Sequence, residues 1–499
     1  MSEKIFNYLT KILDPESARL VLKMYKLNIP LTIRTNTLKI SSSKLKERLE
    51  SKGFKLREIA FIPDSFIVVE EPFPISKTLE HFAGFFYMQS LSSMLPSLAL
   101  EPEPDEFVLD IASAPGSKTT HIAQLMKNTG IIIANDISFE RLKVVAHQIE
   151  RLGILNTAIT SIDGNRFGNL LPEVFDRALV DAPCSALGII SKSNEVLTWW
   201  NIDEVRRLSN KQYQLLTSAI KSVKPDGVIV YSTCTLTVEE NELMIDSVLK
   251  KFPLEIEEIN YKTVDFDEGI TFYDGLPLDE RLKKAVRIYP FKSNTEGFFI
   301  ARLRKTDSTF SKSPEFSDIG NRVSHEKMRF LTADDKDLKE ALKFLTDEFG
   351  IDENIWSKFV YYFKNDEIWF CSPGWKKFLT LDFSGIDKNF KHHLMSSIIQ
   401  RVGLKLAKSV KKAQWKISTS ALQILSPFVV KNIIELQNEN QARIFINGGV
   451  VKNPDLNFRP GTYTAVNFDG ITLGCGLVTK EGLKSQIPKG RRTVEVEVM

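Results

Sequence analysis

The chain of 499 residues is long enough for about three domains, and its apolar content of 43% suffices for real cores. No apolar run approaches the roughly 20 residues of a membrane span, and the charged start lacks the apolar segment of a secretory signal. Four cysteines without a CxxC pair predict neither a disulfide framework nor a zinc site. We therefore expect a cytoplasmic protein with reduced thiols and no bound metal.

The net charge of +3 is unevenly spread. Residues 401–499 hold 15 Lys and Arg against 7 Asp and Glu, so the preceding 400 residues are slightly acidic. A basic end on an acidic body indicates contact with a polyanion such as a nucleic acid. The alternative is a solvated charged face without a partner.

Residues 1–100 predict a small α+β module. A helical stretch comes first, and the patterns of a strand, a helix and a second strand follow in "IPLTIRTNTLKIS", "LKERLESKGFKL" and "SFIVVEEP".

Residues 101–305 predict a doubly wound α/β domain, Rossmann-like in its order of strands and helices. Amphipathic stretches such as "SFERLKVVAHQIERLG" separate short Val- and Ile-rich runs, as βαβ units require. These runs are "FVLDIA" (107–112), "IIIANDI" (131–137), "TAITSID" (157–163), "RALVDAP" (177–183) and "GVIVYSTC" (227–234). "FFIARLR" (298–304) predicts a late strand that completes the sheet.

The rest of the chain predicts two further parts. Residues 306–420 begin with a polar, Ser-rich linker and continue as a mixed intermediate domain. Residues 421–499 contain short apolar runs separated by Gly and Asn-Gly turns, which favour a compact β-rich domain.

Acidic and thiol side chains follow the predicted strands of the central domain. Asp136 and Asp163 follow the second and third strands, Asp181 and Cys184 the fourth, and Cys234 the fifth. In doubly wound sheets, ligands bind beyond the carboxyl ends of the strands. Buried Asp side chains must be paired or hydrogen-bonded, so this pattern indicates a ligand site rather than packing.

The loop "ASAPGSK" (112–118) follows the first strand and opens a helix. It has the spacing of neither a P-loop nor a GxGxxG fingerprint. Small residues at a helix N-terminus let backbone N–H groups approach a ligand, and an acid after the second strand can accept hydrogen bonds from ribose hydroxyls. A nucleoside without a pyrophosphate, such as S-adenosylmethionine, fits better than NAD. A simple helix cap is the alternative.

The two cysteines at the strand ends suggest pyrimidine chemistry. Position 5 of a pyrimidine attacks a methyl donor only after a thiolate has added to C6, and the C5 proton must then leave. If two thiols face the same pyrimidine, one can act as the nucleophile and the other as the general base that removes the C5 proton. Asp181 and Lys118 could hydrogen-bond the polar edge of the ring. Cys371 and Cys475 lie outside this pattern and are interpreted as packing residues.

The motifs "LDIASAPGSKTTHIA", "ANDIS", "VDAPCSALG" and "YSTCTLTVEENE" resemble the Nop/Sun family of RNA cytosine-5 methyltransferases. The similarity extends over roughly residues 30–305. It implies S-adenosylmethionine as cofactor, Cys234 as the nucleophile and Cys184 as the group that assists product release, with Asp181 and Lys118 near the target base. The implied cofactor contacts are Ala112, Ser113, Ala114, Pro115, Gly116, Ser117, Lys118, Asp136, Asp163 and Asp181.

The basic end narrows the resemblance. "DGITLGCGLVTKEGLKSQIPKGRR" is similar to the PUA-like RNA-binding domain of a bacterial branch that modifies small-subunit ribosomal RNA. We expect the N-terminal module to bind RNA as well. The sequence departs from the family at Ala186, where Gly is usual, at Phe291, where His is frequent, and at Cys475, where an aromatic residue is usual.

Three alternatives stay open beside ribosomal RNA methylation. They are a tRNA cytosine-5 methyltransferase of the same family, a DNA cytosine methyltransferase, against which the second cysteine at Cys234 argues, and a non-catalytic RNA clamp in ribosome assembly. The modified nucleotide and the oligomeric state are not predicted.

Overall fold

The computed structural model describes residues 3–23, 29–190, 195–259, 261, 266–309, 328–380, 398–411, 414–452 and 458–492. Most of the predicted linker lies outside these described residues. Among these residues, no helix has both the length and the apolar character that crossing a membrane requires.

The N-terminal module is a four-stranded antiparallel sheet in the order β2-β3-β1-β4. Its strands are β1 (Thr32–Thr35), β2 (Lys55–Glu58), β3 (Ser65–Glu70) and β4 (Phe86–Met88), and its helices are α1 (Glu3–Leu9), α2 (Pro15–Lys23), α3 (Ser42–Glu50) and α4 (Leu79–Phe82), with a 3₁₀ turn at Ile75–Lys77. Leu45 and Leu49, one turn apart on α3, pack on Ile33 and Phe66 of the sheet. This module has its own apolar core.

The central domain is the predicted doubly wound sheet. Its parallel strands lie in the order β9-β8-β5-β6-β7. They are β5 (Phe107–Asp110), β6 (Ile131–Asn135), β7 (Thr157–Thr160), β8 (Phe175–Asp181) and β9 (Val223–Thr233). The chain runs outward from β5 to β7 and then returns across β5 to β8 and β9. The topological switch point therefore lies between β5 and β8, where doubly wound sheets bind ligands.

Helices and antiparallel strands complete this domain. The helices are α5 (Leu91–Leu100), α6 (Ser117–Leu125), α7 (Phe139–Leu152), α8 (Phe167–Leu170), α9 (Val196–Trp199), α10 (Ile202–Ser222), α11 (Glu242–Leu249) and α12 (Pro290–Ser293), with 3₁₀ turns at Gly164–Arg166, Leu187–Ile189 and Glu280–Lys284. The strands are β10 (Leu254–Glu257), β11 (Asp267–Glu268), β12 (Phe272–Tyr273), β13 (Leu276–Pro277), β14 (Val286–Ile288) and β15 (Phe298–Lys305). The late strand β15 joins the sheet, as predicted, and it pairs antiparallel with β9 on one side and with β14 on the other.

Helix α7 illustrates how the sequence sets these elements. The Ser138 hydroxyl accepts a hydrogen bond from the Arg141 amide at the N-terminus of the helix. Buried Leu142, Val145, Ile149 and Leu152 follow at spacings of three and four, which places them on one face. This apolar face covers the sheet and fixes the loop that precedes the helix, at the carboxyl end of β6.

The segment after residue 328 is tied to the central domain. Its antiparallel sheet has the order β16-β17-β18-β20-β21. The elements are β16 (Arg329–Leu331), β17 (Val360–Lys364), β18 (Glu367–Cys371), β19 (Ile399–Val402), β20 (Leu404–Lys411), β21 (Gln414–Ile417), α13 (Lys336–Phe349), α14 (Glu353–Trp356) and α15 (Gly374–Thr380). Strand β19 pairs antiparallel with β7, and Trp375 and Phe378 join the core beneath the central sheet. The predicted intermediate domain thus shares a core with its neighbour.

The C-terminal part is rich in β-structure, as predicted. Its strands are β22 (Ile433–Glu435), β23 (Val450–Val451), β24 (Tyr463–Phe468), β25 (Ile471–Thr479) and β26 (Gly482–Ser485), its helices are α16 (Thr419–Leu425) and α17 (Glu439–Ile446), and 3₁₀ turns lie at Ser426–Phe428 and Lys489–Arg491. Helix α16 crosses the predicted boundary at residue 421. Leu79 and Phe82 of the N-terminal module complete the core of this sheet, and the buried Arg491 donates to the Phe82 carbonyl oxygen at 3.2 Å.

A buried ion pair gives a stability prediction. The guanidinium of Arg287 on β14 forms a bidentate ion pair with the carboxylate of Glu242 at the start of α11, and both side chains are almost wholly buried. Arg287→Met should lower the free energy of unfolding by about 3–5 kcal/mol, because it leaves the Glu242 carboxylate buried and unpaired. Urea denaturation measures the change. The double variant Arg287→Met/Glu242→Leu should recover much of the loss, and a double variant as unstable as the single one would contradict the prediction.

Candidate active site

A cleft of about 540 Å³ opens at the carboxyl ends of the central strands. The structure brings together seven of the predicted site residues in its lining: Ala112, Ala114, Asp136, Asp163, Asp181, Cys184 and Cys234. The other five, Ser113, Pro115, Gly116, Ser117 and Lys118, lie in the same loop and in the first turn of α6 but do not line the cleft. The cleft therefore coincides with the switch point between β5 and β8.

The loop between β5 and α6 is held against neighbouring elements. Gly116 adopts φ +100°, and a Cβ atom there would lie 3.3 Å from the Val145 Cα of α7. A residue with a side chain would be strained in this conformation and crowded by the helix. The Ser113 amide donates to the Asn135 carbonyl oxygen at 2.7 Å, and Arg141 donates to the Ala114 carbonyl oxygen. The loop is therefore fixed at the cleft edge.

The acids after β6 and β7 have defined partners. Asp136 is nearly buried, accepts from the Ser138 amide at 2.8 Å, and pairs with Arg141 at 3.1 Å. Asp163 is exposed and accepts from the Asn165 amide at 3.1 Å. Arg141 was not predicted as a site residue, because an arginine in the first turn of an amphipathic helix resembles any solvated charge. Asp136 and Arg141 form one charged edge of the cleft.

An ion pair links the first loop to the end of β8. The Lys118 ammonium lies 2.7 Å from Asp181 Oδ2, and the Ser232 hydroxyl donates to Asp181 Oδ1 at 2.8 Å. Ser93 on α5 provides a further contact to Lys118, at 3.2 Å, and the Phe298 ring lies beneath the ammonium. Lys118 is almost fully buried, whereas the Asp181 side chain remains partly exposed to the cleft. The pair can therefore present a carboxylate whose charge is compensated from behind.

The two predicted thiols are in contact. Cys184 Sγ lies 3.2 Å from Cys234 Sγ, across fifty residues of chain, and both cysteines are free and partly accessible. Hydrogen bonding with Cys234, burial, and the charges of Cys234 and Glu240 raise the pKa of Cys184 well above its usual range. Cys184 therefore holds its proton more firmly than an ordinary thiol. Cys371 and Cys475 are fully buried elsewhere, and burial raises the pKa of each thiol.

Backbone packing fixes the position of Cys234. The Gly188 amide donates to the Cys234 carbonyl oxygen at 2.9 Å, and the Gly297 amide donates to the Gly188 carbonyl oxygen at 2.9 Å. A Cβ atom on Gly188 would lie 2.3 Å from the Gly297 carbonyl oxygen, closer than real atoms approach. Only glycine fits where these three segments meet, so the end of β9 has little room to move.

The departures from the family pattern leave the thiols in place. Ala186 adopts φ +57°, the left-handed region in which glycine is unstrained. Phe291 stacks on Tyr289 with ring centroids 5.7 Å apart and packs on the cluster that includes Leu187 and Leu236. The first departure adds local backbone strain beside Cys184, and the second replaces a polar side chain by packing.

Two family models match this chain. Residues 97–304 match 16S rRNA methyltransferase RsmB/F, and residues 1–91 match the N-terminal domain of 16S rRNA methyltransferase RsmF. A ribosomal RNA small subunit methyltransferase F from Shewanella piezotolerans is 32% identical over 464 residues, covering 92% of this chain and 90% of the relative. A human 28S rRNA (cytosine(4447)-C(5))-methyltransferase is 42% identical over 298 residues, covering 58% of this chain and 36% of the relative.

Solved structures of methyltransferases are also similar to this chain. A methyltransferase homologue from Pyrococcus horikoshii is 34% identical with a TM-score of 0.53, covering 61% of this chain and all of that one. NSun6 from the same organism, solved with the S-adenosylmethionine analogue SFG, is 28% identical with a TM-score of 0.55 and covers 61% of this chain and 98% of that one. The predicted resemblance and the predicted cofactor are thereby confirmed. The chain belongs to the RsmB/F family of rRNA methyltransferases and is an S-adenosylmethionine-dependent RNA cytosine-5 methyltransferase.

Proposed function

We propose that this protein methylates C5 of a cytosine in small-subunit ribosomal RNA, with Cys234 as the nucleophile and Cys184 as the base. The observation that carries the proposal is the 3.2 Å contact of two partly accessible thiols at the edge of the cleft. The name of the Shewanella relative, which matches over nearly its whole length, favours the small ribosomal subunit as the source of the RNA.

The chemistry requires a thiolate and then a base. Addition of the Cys234 thiolate to C6 makes the electron pair of the C5–C6 double bond available at C5. Bound in the cleft, S-adenosylmethionine would supply the electrophilic methyl group for C5 and would leave as S-adenosylhomocysteine. Cys184 then removes the C5 proton, the double bond re-forms, and the C6–sulfur bond breaks to release Cys234 as a thiolate.

The contact between the thiols accounts for the order of these steps. While Cys234 is a thiolate, its charge opposes ionisation of Cys184, and the Cys184 S–H group can donate to the thiolate. Once the Cys234 sulfur is bonded to C6 it carries no charge, so Cys184 loses its proton to solvent more easily. Cys184 thus becomes a base only after the adduct has formed.

Asp181 and Lys118 are proposed to hold the polar edge of the cytosine. Asp181 is partly exposed to the cleft that contains both thiols, and Lys118 compensates its charge from the protein side. A carboxylate in this position can accept from the exocyclic amino group, and the nearby ammonium stabilises negative charge that develops on the ring. The pair would then orient C6 towards Cys234.

The cleft suits S-adenosylmethionine. Its volume lies within the range of about 300–1,000 Å³ typical of small-molecule sites. The carboxylates of Asp136, Asp163 and Asp181 line the cleft and can accept hydrogen bonds from the cofactor, and the exposed Ile137 side chain offers an apolar surface for a nucleobase. We assign Asp136 to the ribose hydroxyls and the loop of residues 112–118 to the amino acid end of the cofactor.

The C-terminal β-rich part is proposed to be a PUA-like RNA-binding domain. Its lysines Lys480, Lys484 and Lys489 are exposed, so they are available to phosphate groups. The target cytosine must leave its stack to reach a thiol, so a single-stranded or distorted site is the expected substrate.

The two thiols should give different inactive variants. Cys234→Ala should abolish turnover and the covalent adduct, because C5 is never activated. Cys184→Ala should form the adduct and fail to resolve it, so a slowly migrating protein–RNA band should appear on a denaturing gel. A band with Cys234→Ala alone would instead make Cys184 the nucleophile, and no band with either variant would refute the adduct mechanism.

Cofactor affinity tests the assignment of Asp136. Asp136→Asn should weaken S-adenosylmethionine binding by about 1–3 kcal/mol, because an amide cannot match both the ribose contact and the pairing with Arg141. Titration calorimetry measures the affinity. The control is Glu140→Gln, which changes an exposed acid in the first turn of α7 that is paired only with Lys143 among the described residues, and this variant should bind normally. Equal affinity in both variants would remove Asp136 from the site.

Salt dependence tests the C-terminal domain. Truncation near residue 420 would cut α16 and remove the buried Arg491, so surface substitutions are the cleaner test. The triple variant Lys480→Gln/Lys484→Gln/Lys489→Gln should bind RNA more weakly, with a slope of log affinity against log salt shallower by about one per lost phosphate contact. The same change at exposed Lys336, Lys339 and Lys343 of α13 is the control. Indistinguishable slopes would exclude these lysines from RNA binding.

A further inference from the structure

Four consecutive polar residues follow β9, and each contacts a different part of the molecule. Glu239 accepts from the hydroxyls of Tyr8 and Tyr273, away from the thiols. Glu242 pairs with Arg287. Between them, the fully buried Glu240 and Asn241 reach the segments that carry Cys184 and Cys234. The mechanism above uses neither of these two residues.

Glu240 holds the residues on both sides of Cys184. Its carboxylate accepts from the Ser185 amide at 2.8 Å and from the Ser185 hydroxyl. It also accepts from Gln212 Nε2 at 2.8 Å, and the same Gln212 amide donates to the Pro183 carbonyl oxygen at 2.9 Å. Cys184 therefore lies between two anchored neighbours, and both anchors meet at one carboxylate.

Asn241 does the same for Cys234. Its Oδ1 atom accepts from the Thr233 hydroxyl at 2.6 Å, and its Nδ2 atom donates to the Thr235 carbonyl oxygen at 3.0 Å. These two contacts span Cys234 from one side to the other. Because Glu240 and Asn241 are adjacent in the chain, one short segment anchors both cysteine-bearing loops, each through its own side chain.

We propose that Glu240 and Asn241 are positioning residues: Glu240 fixes the position of Cys184, and Asn241 fixes the position of Cys234. The inference rests on the division of labour proposed above, in which Cys234 forms the adduct and Cys184 resolves it. Neither side chain touches the base. Each acts by fixing the two neighbours of its cysteine, and together they keep the two sulfur atoms in contact.

The surroundings of Glu240 support its role as an anion. Burial raises the pKa of this carboxyl, but its oxygens accept from Ser185, Gln212 and the Thr237 hydroxyl, at 2.6 Å for the last. These donors oppose the effect of burial and favour the ionised form. A carboxylate in this place holds the Cys184 segment more strongly than a neutral amide could, because charge-assisted hydrogen bonds are the stronger ones.

The two residues should therefore fail at different steps. Glu240→Gln should form the covalent adduct at nearly the normal rate and resolve it about 10- to 100-fold more slowly, since a small displacement of a catalytic group has effects of this size. Asn241→Ala should form the adduct about 10- to 100-fold more slowly, and it should do so also in the Cys184→Ala background, where resolution is blocked.

Single-turnover reactions with labelled ribosomal RNA separate the two rates, with adduct followed on denaturing gels. Glu239→Gln is the matched control, a neighbouring carboxylate that contacts tyrosines instead of the thiol segments, and both of its rates should be normal. Melting temperature and S-adenosylmethionine affinity check that each variant is folded. If Glu240→Gln is unfolded, Ser185→Ala replaces it in the same assay. If Asn241→Ala is unfolded, Thr233→Val replaces it. Each of these substitutions removes one hydroxyl donor.

The outcomes are distinct. Slow resolution in the Glu240 variant together with slow formation in the Asn241 variant supports the assignment. Equal slowing of both steps in both folded variants, or normal rates, would overturn it and make the pair a structural support only. If Cys184→Ala accumulates no adduct, the proposed function fails first, and that result is visible before either positioning variant is compared.

Discussion

The parallel pairing of β8 with β9 is the constraint on which the site depends. It places Asp181 opposite Ser232 in the register, so the loops that follow the two strands leave the sheet side by side. Two cysteines fifty residues apart thereby come into contact without a bond between them. The switch of chain direction between β5 and β8 opens the cleft beside this same pair of strands. Cofactor cleft and thiols are thus consequences of one strand order.

The acidic residues at the cleft and those buried beneath it differ in how their charge is compensated. Two acids at the cleft are paired with cations: Asp181 with the buried Lys118, and Asp136 with Arg141, which also lines the cleft. Deeper in the protein, Asp110 accepts only from the Thr119 hydroxyl among the described residues, and burial raises the pKa of this carboxyl to about 7. Asp110 is therefore largely protonated below neutral pH and adds little charge beneath the cleft.

The sequence predicts what is local and misses what depends on distant partners. The strands and the residues at their ends were predictable, because apolar runs of strand length stop at Asp136, Asp181 and Cys234. Glu240 and Gln212 were not predictable, because their importance lies in contacts across tens of residues that no spacing encodes. The pairing of β19 with β7 was missed for the same reason. In a sequence, a polar residue in a helical pattern is indistinguishable from a solvated one, and only the three-dimensional structure shows its partner.

The shared core of the two ends of the chain has a consequence for synthesis. Leu79 and Phe82 pack with apolar residues that follow Ile434, and Arg491 contacts the Phe82 carbonyl oxygen. At about 5–20 residues per second, the ribosome needs roughly 20–70 s to translate the intervening 350 or so residues. During this interval the nascent N-terminal module carries an uncovered apolar face. The N-terminal module of this rRNA methyltransferase therefore reaches its final packing only after strands β22–β26 have left the ribosome.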